Sequence, residues 1–212
     1  MTVADDVAYV RTGIVNVVLV GPPGAGDQGW VLVDAGLPGM AGRIIAAAEK
    51  RFGVGARPAA IVLTHGHQDH VGALARLMDH WDAPVYAHRQ ELPFLTGERA
   101  YSAPDPTVGG GVMPVLSLAF RRGPFHFKVA PLPSDGHVPE MPGWRWIHTP
   151  GHTPGHVSFW READRTLIAG DAFVTQDQES LGGALSERPH FQGPPQYFTP
   201  DWFAAEASIE RL

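Results

Sequence analysis

The sequence has 212 residues, of which 44% are hydrophobic and 18% charged, a balance that suits one sizeable globular domain. Its formal net charge is -6 and it contains no run of Lys and Arg, which argues against nucleic acid as the main partner. No stretch approaches the ~18 apolar residues that a membrane span needs, and the N-terminus does not resemble a signal peptide. We therefore expect a cytoplasmic protein that acts on a small molecule, with no nucleic-acid or membrane partner.

The first half of the chain alternates short apolar runs with amphipathic segments. Strands are predicted for four apolar runs, residues 16–20, 30–36, 59–64 and 84–88. Helices are predicted for residues 39–53, with Gly53 as terminator, and for residues 71–81. This alternation predicts an α/β layered domain, and we expect residues 1–212 to form one such domain.

The second half is more irregular. Residues 91–136, here called the lid segment, are rich in Pro and Gly with scattered apolar residues, which indicates a partly packed lid. Three further strands are predicted in "WRWIHTPG", "HVSFWRE" and "RTLIAGDAF". The last segment predicts a helix with Thr199 as N-cap, Pro200 at the first helical position and Asp201 in the first turn. Since no Gly, Asn or Pro closes this helix before Leu212, we expect a chain that is cut inside it.

The stretch "LTHGHQDHVG" (63–72) places His65, His67, Asp69 and His70 close together after a predicted strand. Because the sequence has no cysteine, any metal must be bound by nitrogen and oxygen, and imidazole and carboxylate are common ligands of Zn²⁺ and its neighbours. His65 and His67 can project from the same side of an extended segment. A histidine-rich turn is the alternative, but the pattern in this context predicts a metal site.

A second histidine stretch, "HTPGHTPGHVSF", covers residues 148–159. His152 follows a turn at a strand end, where a rigid loop can direct an imidazole at a site, so we expect it to be a ligand. His148 lies in the predicted strand and is expected to be structural. His156 is expected to be structural or to support a ligand from behind.

Two aspartates also follow apolar strands. Asp171 in "LIAGDAF" is placed to bridge two cations, although an ordinary loop aspartate is the alternative. Asp34 in "LVDAG" is placed to accept the second N–H of a metal-bound histidine and so to orient it.

The segments "LVDAG", "THGHQDHVG", "TPGHTPGH" and "LIAGD", in this order and spacing, resemble the metallo-β-lactamase-fold hydrolases from about residue 14 to residue 175. The resemblance implies a four-layer αββα sandwich with a dinuclear site at one edge of its two sheets. It also implies a role for each residue of the motifs: His65, His67 and His152 on the first metal, Asp69 and His70 on the second, and Asp171 bridging them. The family supplies one more histidine to the second metal near the end of the fold. We find no good substitute for it, since His190 lies on a Pro-rich loop, and expect a fold short of its last strand and helix or a second site short of a ligand.

The same resemblance implies hydrolysis, because a bound cation can lower the pKa of its water to about 7 and provide a metal-bound hydroxide. Asp69 would orient this nucleophile or relay a proton, which makes it the catalytic candidate. We expect a small ester, thioester or lactone as substrate, as for glyoxalase II-like and lactonase-like members. The expected cofactor is Zn²⁺, one or two per chain, with Fe or Mn as alternatives.

Two other readings stay open. An iron-dependent persulfide dioxygenase of this fold would use one iron and the ligands of the first metal. A non-catalytic fold relative would bind a ligand without turnover. The apolar residues of the lid segment either line an acyl pocket or simply pack; they are Phe94, Leu95, Tyr101, Val112 and Met113.

Overall fold

The computed structural model describes residues 1–108, 113–175 and 190–212. In these residues the chain forms a seven-stranded sheet, in the order β1-β2-β3-β4-β5-β6-β7, and a three-stranded sheet, in the order β10-β9-β8. The strands of the larger sheet are β1 (Thr2–Ala4), β2 (Val7–Thr12), β3 (Val15–Val20), β4 (Val31–Val33), β5 (Ala60–Val62), β6 (Val85–Ala87) and β7 (Ala130–Pro131). Those of the smaller sheet are β8 (Trp144–His148), β9 (Val157–Arg161) and β10 (Thr166–Ile168).

One described helix, in the N-terminal half of the chain, has 12 residues, and the others are shorter. The described helices are α1 (Ala41–Phe52), α2 (Gln68–Val71), α3 (Leu74–Trp81), α4 (Leu92–Leu95), α5 (Met113–Leu116) and α6 (Trp202–Ile209). Two 3₁₀ turns cover Ser117–Ala119 and Gln196–Phe198. No helix in the described part of the chain is both long and apolar enough to cross a membrane.

The larger sheet changes direction at β4. Strands β1 to β4 are antiparallel neighbours, whereas β4, β5, β6 and β7 run parallel. Strands β4 and β5 are buried along their whole length, as expected for parallel strands that are covered on both faces. Their carboxyl ends lie at the same edge of the sheet, so the residues that follow Val33 and Val62 meet there.

Two apolar clusters fill the spaces between three layers, which are the helices, the larger sheet and the smaller sheet. One cluster packs α1 and α3, through residues such as Ile44 and Leu77, against one face of the larger sheet. The other joins the opposite face to the smaller sheet, where Val31 and Val62 pack with Phe159. Alternate residues of one strand enter different clusters, because side chains alternate across a strand. The larger sheet is therefore enclosed between helices and the second sheet.

Most predicted elements are confirmed, with shorter bounds. Helix α1 ends at Phe52, and Gly53 follows with φ 117° while its N–H donates to the Glu49 carbonyl. The helix predicted over residues 71–81 is instead two helices, α2 and α3, on either side of Gly72 and Ala73. The Gly72 N–H donates to the Gly36 carbonyl at 2.8 Å, so the chain breaks where it packs on another loop. Strands β1 and β2 were not predicted.

The predicted N-cap of the last helix is wrong. Helix α6 begins at Trp202, and the N-cap is Asp201, whose carboxylate accepts from the Ala204 N–H at 2.9 Å. Pro200 accordingly lies before the N-cap, outside the helix. The Thr199 backbone is extended, and its hydroxyl donates to the Pro195 carbonyl at 2.8 Å. Asp201, and not Thr199, is therefore the N-cap of this helix.

The described part of the lid segment packs on the main core. Leu95, Tyr101 and Phe125 are buried in the same cluster as α1 and α3, and Phe94 packs against that cluster. Strand β7 pairs with β6 and so extends the larger sheet. Val112 lies outside the described residues, as does the side chain of Met113.

Candidate metal centre

The predicted site residues come from both sheets and meet at one edge. His65 is the third residue after β5. His67 is the N-cap of α2, and His70 lies within α2. His152 lies in the loop between β8 and β9, and Asp171 follows β10. The Val157 N–H donates to the Thr64 carbonyl at 2.9 Å and joins the two sheets beside these loops.

Two overlapping sets of side chains are arranged to hold a cation. His65, His67 and His152, the first ligand set, have ligand atoms that all lie within 4.8 Å of one another. His65, His70 and Asp171, the second ligand set, meet the same limit. All five residues are buried, and His67, the most exposed, is 8% exposed. The structure thus brings together the histidines and Asp171 that the sequence predicted.

The contacts inside these sets are close. The Nδ1 atom of His67 lies 2.9 Å from Nε2 of His152. One Asp171 oxygen lies 3.3 Å from Nε2 of His70, and the other lies 3.4 Å from Nε2 of His152. Asp171 therefore contacts one member of each set, as a bridging carboxylate would.

Asp69 lies nearby but belongs to neither set. Its side chain is buried and lines a narrow cleft together with Asp171 and Phe198. Burial raises the pKa of Asp69 to about 6, with His70 lowering it and Asp171 raising it. Its predicted roles as ligand and catalytic group stay predictions.

For three of the four ligand histidines, a hydrogen bond selects which ring nitrogen is free to bind a cation. The Thr64 hydroxyl donates to Asp34 at 2.8 Å, so it can only accept from Nδ1 of His65, 3.1 Å away. The Asp34 carboxylate accepts from Nδ1 of His70 at 2.8 Å. In the same way, the Thr199 hydroxyl accepts from Nδ1 of His152 at 3.1 Å. Each contact places a ring proton on Nδ1 and directs Nε2 at the site, where it could bind a cation.

The charges of the buried groups suit a cation. Burial lowers the pKa of His65 and of His67 well below the usual value, and neighbouring histidines lower it further. Burial also lowers the pKa of His152 to about 4. Burial lowers the pKa of His70 as well, but Asp171 and Asp34 outweigh it and raise that pKa well above its usual value. The neutral imidazoles of His65, His67 and His152 are donors that favour a first-row transition cation, and such a cation would replace the second proton of His70 beside the two carboxylates.

An unsatisfied buried atom supports the same conclusion. Nε2 of His65, which belongs to both ligand sets, is buried and has no hydrogen-bond partner in the described part of the chain. Buried polar atoms are rarely left without a partner, and such an atom requires an explanation. A cation held between the sets satisfies it, so the residues present fit the expected metal.

Three other histidines that the sequence analysis considered lie outside both ligand sets. His156 accepts from the Asp171 N–H at 2.9 Å and contacts the Thr149 hydroxyl at 2.8 Å, so it holds Asp171 in place from behind. Nε2 of His148 lies 2.9 Å from the Pro154 carbonyl, outside both sets. His190 is exposed and also lies outside both sets.

Two residues that hold the site were missed. Thr199 was predicted to be a helix cap, and its contact with His152 spans 47 positions of the chain. Glu91 was not singled out, yet it is fully buried and contacts both loops that carry the first ligand set. No local sequence signal marks either residue, because their partners are far away along the chain.

A cavity of about 410 Å³ opens beside the first ligand set. His67 and His152 form part of its wall, and five aromatic residues line it as well: Phe94, Tyr101, Tyr197, Phe198 and Trp202. The described lining includes no Lys or Arg, and its single charged side chain is Asp105. The cavity therefore suits an uncharged, apolar group.

Comparison with known proteins identifies the class. The profile of the metallo-beta-lactamase superfamily matches residues 10–212. The chain therefore belongs to that superfamily. The fold expected from the resemblance, an α/β metallo-β-lactamase fold, is confirmed by this match and by the solved structures that share it.

Two proteins of Bacillus subtilis (strain 168) are similar to this chain in sequence. The probable metallo-hydrolase YflN of Bacillus subtilis (strain 168) is 44% identical over 201 residues, which cover 94% of this chain and 76% of YflN. The probable metallo-hydrolase YybB of the same organism is 34% identical over 154 residues, which cover 73% of this chain and 61% of YybB.

Solved structures agree with this placement. The protein TTHA1623, crystallised in a di-iron-bound form, has a TM-score of 0.61 and 27% identity, covering 97% of this chain and 84% of that one. Rm3 metallo-beta-lactamase has a TM-score of 0.56 and 30% identity, covering 75% of this chain and 54% of Rm3. The chain thus spans less than two thirds of the length of YybB and of Rm3.

Proposed function

We propose that the protein is a metal-dependent hydrolase that acts on a neutral ester or lactone. The observation that carries this proposal is the pair of overlapping ligand sets, with a buried, partnerless imidazole nitrogen of His65 between them. Two relatives are named as probable metallo-hydrolases, which supports the same class of reaction.

Each ligand has a part in this proposal. His65, His67 and His152 would hold one cation, His70 and Asp69 would hold a second, and Asp171 lies where it could bind either. Cations bound there would supply a Lewis acid for a carbonyl oxygen and lower the pKa of a bound water to about 7. Asp69, a buried carboxyl group in the same cleft as Asp171, would orient the attacking water and accept or return a proton at its oxygen.

The wall of the cavity indicates the substrate class. An apolar acyl or aryl group would lie against Phe94, Tyr101 and Trp202, with its carbonyl near His67 and His152. Without Lys or Arg in the described lining, a substrate with several carboxylates would find no cation to pair with. A neutral ester or lactone therefore fits better than a thioester of an anionic carrier.

The dioxygenase alternative uses fewer of these residues. Histidine and carboxylate ligands bind iron as well as zinc, and TTHA1623 was crystallised in a di-iron-bound form. A persulfide dioxygenase needs one iron on the first ligand set alone. The second ligand set has no part in that reaction, so its presence favours the hydrolase.

Paired substrates test the proposal. We expect zinc-loaded protein to hydrolyse p-nitrophenyl butyrate and a simple aliphatic lactone, to lose this activity on chelation and to regain it with zinc. A p-nitrophenyl ester of similar length that ends in a carboxylate should be a much poorer substrate, through a higher KM. Equal turnover of both esters would contradict the substrate class. Metal-independent turnover of both would contradict the mechanism.

A further inference from the structure

Glu91 is a fully buried carboxylate at the start of α4, with 0% of its surface exposed. In the described part of the chain, no Lys or Arg side chain forms an ion pair with it. A buried charge without an ion-pair partner is costly unless hydrogen bonds satisfy it. Glu91 therefore depends on its hydrogen-bond donors.

Four donors fill both oxygens of this carboxylate. Oε2 accepts from the Gly66 N–H at 2.9 Å and from the Tyr101 hydroxyl. Oε1 accepts from the Thr153 hydroxyl at 2.7 Å and from the Gly155 N–H at 2.8 Å. A carboxylate has about four lone-pair positions, so its accepting capacity is used completely.

Three of the four donors come from the two loops that carry the first ligand set, and Tyr101 belongs to the lid segment. Gly66 lies between His65 and His67, and Thr153 follows His152 directly. One of these loops leaves β5 of the larger sheet, and the other joins β8 to β9 of the smaller sheet. One side chain thus connects the backbones that present all three imidazoles.

The two loops approach Glu91 and its helix so closely that a side chain would not fit. A Cβ atom on Gly155 would lie 2.7 Å from the Glu91 backbone nitrogen and 2.8 Å from its Cγ. A Cβ atom on Gly66 would lie 2.8 Å from Cδ2 of Leu95, in the same helix. The Tyr101 ring also packs edge-on against the His67 ring, with centroids 4.8 Å apart. The contacts around Glu91 are therefore those of a fitted support behind the ligand loops.

We propose that Glu91 is a positioning residue that holds the His65–His67 loop and the His152 loop at the separation a bound cation requires. The inference rests on the proposed metal site. Outer hydrogen bonds orient the ligands of a metal, and removing one typically lowers metal affinity roughly 10- to 100-fold. Glu91 also places a fixed negative charge behind the site, which favours a divalent cation over none.

The variant Glu91→Gln isolates this role. Whichever way the amide is turned, its NH₂ group faces a backbone N–H, of Gly66 or of Gly155, and that donor loses its acceptor. A hydroxyl partner can rotate to accept, but a backbone N–H cannot. We expect zinc affinity, measured by competition with a chelating dye, to fall roughly 10- to 100-fold. Zinc should also dissociate faster, while the near-ultraviolet circular dichroism stays that of a folded protein.

Two further variants complete the design. Glu98→Gln is the matched control, because Glu98 is exposed in the same segment, and it should bind zinc like the wild type. Thr153→Val removes one of the four bonds and keeps the charge, so its zinc affinity should lie between those of the wild type and Glu91→Gln. If Glu91→Gln fails to fold, the zinc affinity of Thr153→Val tests the proposal instead. A wild-type zinc affinity in Thr153→Val would then overturn the proposal.

The outcomes separate this inference from the proposed function. Wild-type zinc affinity in folded Glu91→Gln, with only its thermal stability lowered, would make Glu91 a core residue and overturn its positioning role. That result leaves the hydrolase proposal standing. A wild type that binds neither zinc, iron nor manganese would overturn both.

Discussion

Nδ1 of His70 lies 2.8 Å from Oδ2 of Asp34, and both side chains are buried. The same carboxylate accepts from the N–H and the hydroxyl of Thr64. Asp34 has φ 62°, an uncommon conformation for a residue other than glycine, so the turn after β4 is shaped to present this side chain. The Asp34–His70 contact holds a proton on Nδ1 of His70 and directs Nε2 of the same ring toward Asp171.

Replacing this carboxylate should empty the second site selectively. In Asp34→Asn, an amide NH₂ directed at Nδ1 of His70 favours the tautomer with its proton on Nε2, which then cannot bind a cation. We expect about one tightly bound zinc per chain instead of two, with affinity at the second site lowered roughly 10- to 100-fold. Isothermal titration of metal-free protein measures both values.

Asp82→Asn is the matched control, because Asp82 also has positive φ, 47°, but is exposed at the end of α3. It should bind zinc like the wild type. Two equally tight zinc ions in Asp34→Asn would show that Asp34 does not set the tautomer of His70.

Removing a ligand of the first set should lower metal affinity more than removing an outer hydrogen bond does. His67→Ala leaves His65 and His152 with one donor fewer, so we expect hydrolysis to be lost and metal content to fall. The loss of affinity should exceed the roughly 10- to 100-fold that an outer hydrogen bond contributes. His137→Ala is the control, since that side chain is 73% exposed and pairs with Asp135 at the surface. Full activity with normal metal content in His67→Ala would remove the residue from the site.

Thr199 should act through His152. Its hydroxyl donates to Pro195 and therefore accepts from Nδ1 of His152. Thr199→Val keeps the shape but removes the acceptor, so zinc affinity at the first site should fall about tenfold, the lower end for such contacts. Thr96→Val removes an exposed hydroxyl bond to the Leu92 carbonyl and should leave zinc binding unchanged. A normal zinc affinity in Thr199→Val would make the contact incidental.

Phe198 should set the length of substrate that is accepted. Its ring lines both the 410 Å³ cavity and the narrow cleft that contains Asp69 and Asp171, and it packs 5.1 Å from the His67 ring. Phe198→Ala joins the two spaces. We expect the ratio of kcat/KM for octanoate to butyrate esters to rise about tenfold, the value of a modest change in an apolar pocket.

A second aromatic residue provides the control for this prediction. Phe203→Ala changes a side chain that is 88% exposed in α6, and its ester preference should match that of the wild type. An unchanged ratio in Phe198→Ala would mean that the acyl group lies elsewhere.

Local patterns made part of this site predictable. The spacing of His65, His67 and His70 after a buried strand is visible in ten residues of sequence. Asp34 could be inferred as well, because its own strand end lies beside that of β5. Sequence could not show that His65 would contribute to both ligand sets, since that depends on the distance between β5 and residues after β10.

The supporting residues were hidden for a different reason. Glu91 lies in "HRQELPF", a polar stretch that resembles exposed sequence, and it is buried only because four donors from separate segments converge on it. Thr199 matched the pattern of a helix cap, but Asp201 took that position. The break between α2 and α3 likewise follows from a contact with Gly36, far from it in sequence.

The metal content of the protein tests the central claim most directly. Protein purified without chelator and loaded with zinc should contain about two zinc ions per chain by elemental analysis, one on His65, His67 and His152 and one on His70 and Asp69. About one iron per chain, with no binding of zinc, would instead favour oxygen chemistry on the first ligand set. A folded protein that binds no zinc, iron or manganese would contradict the proposed function.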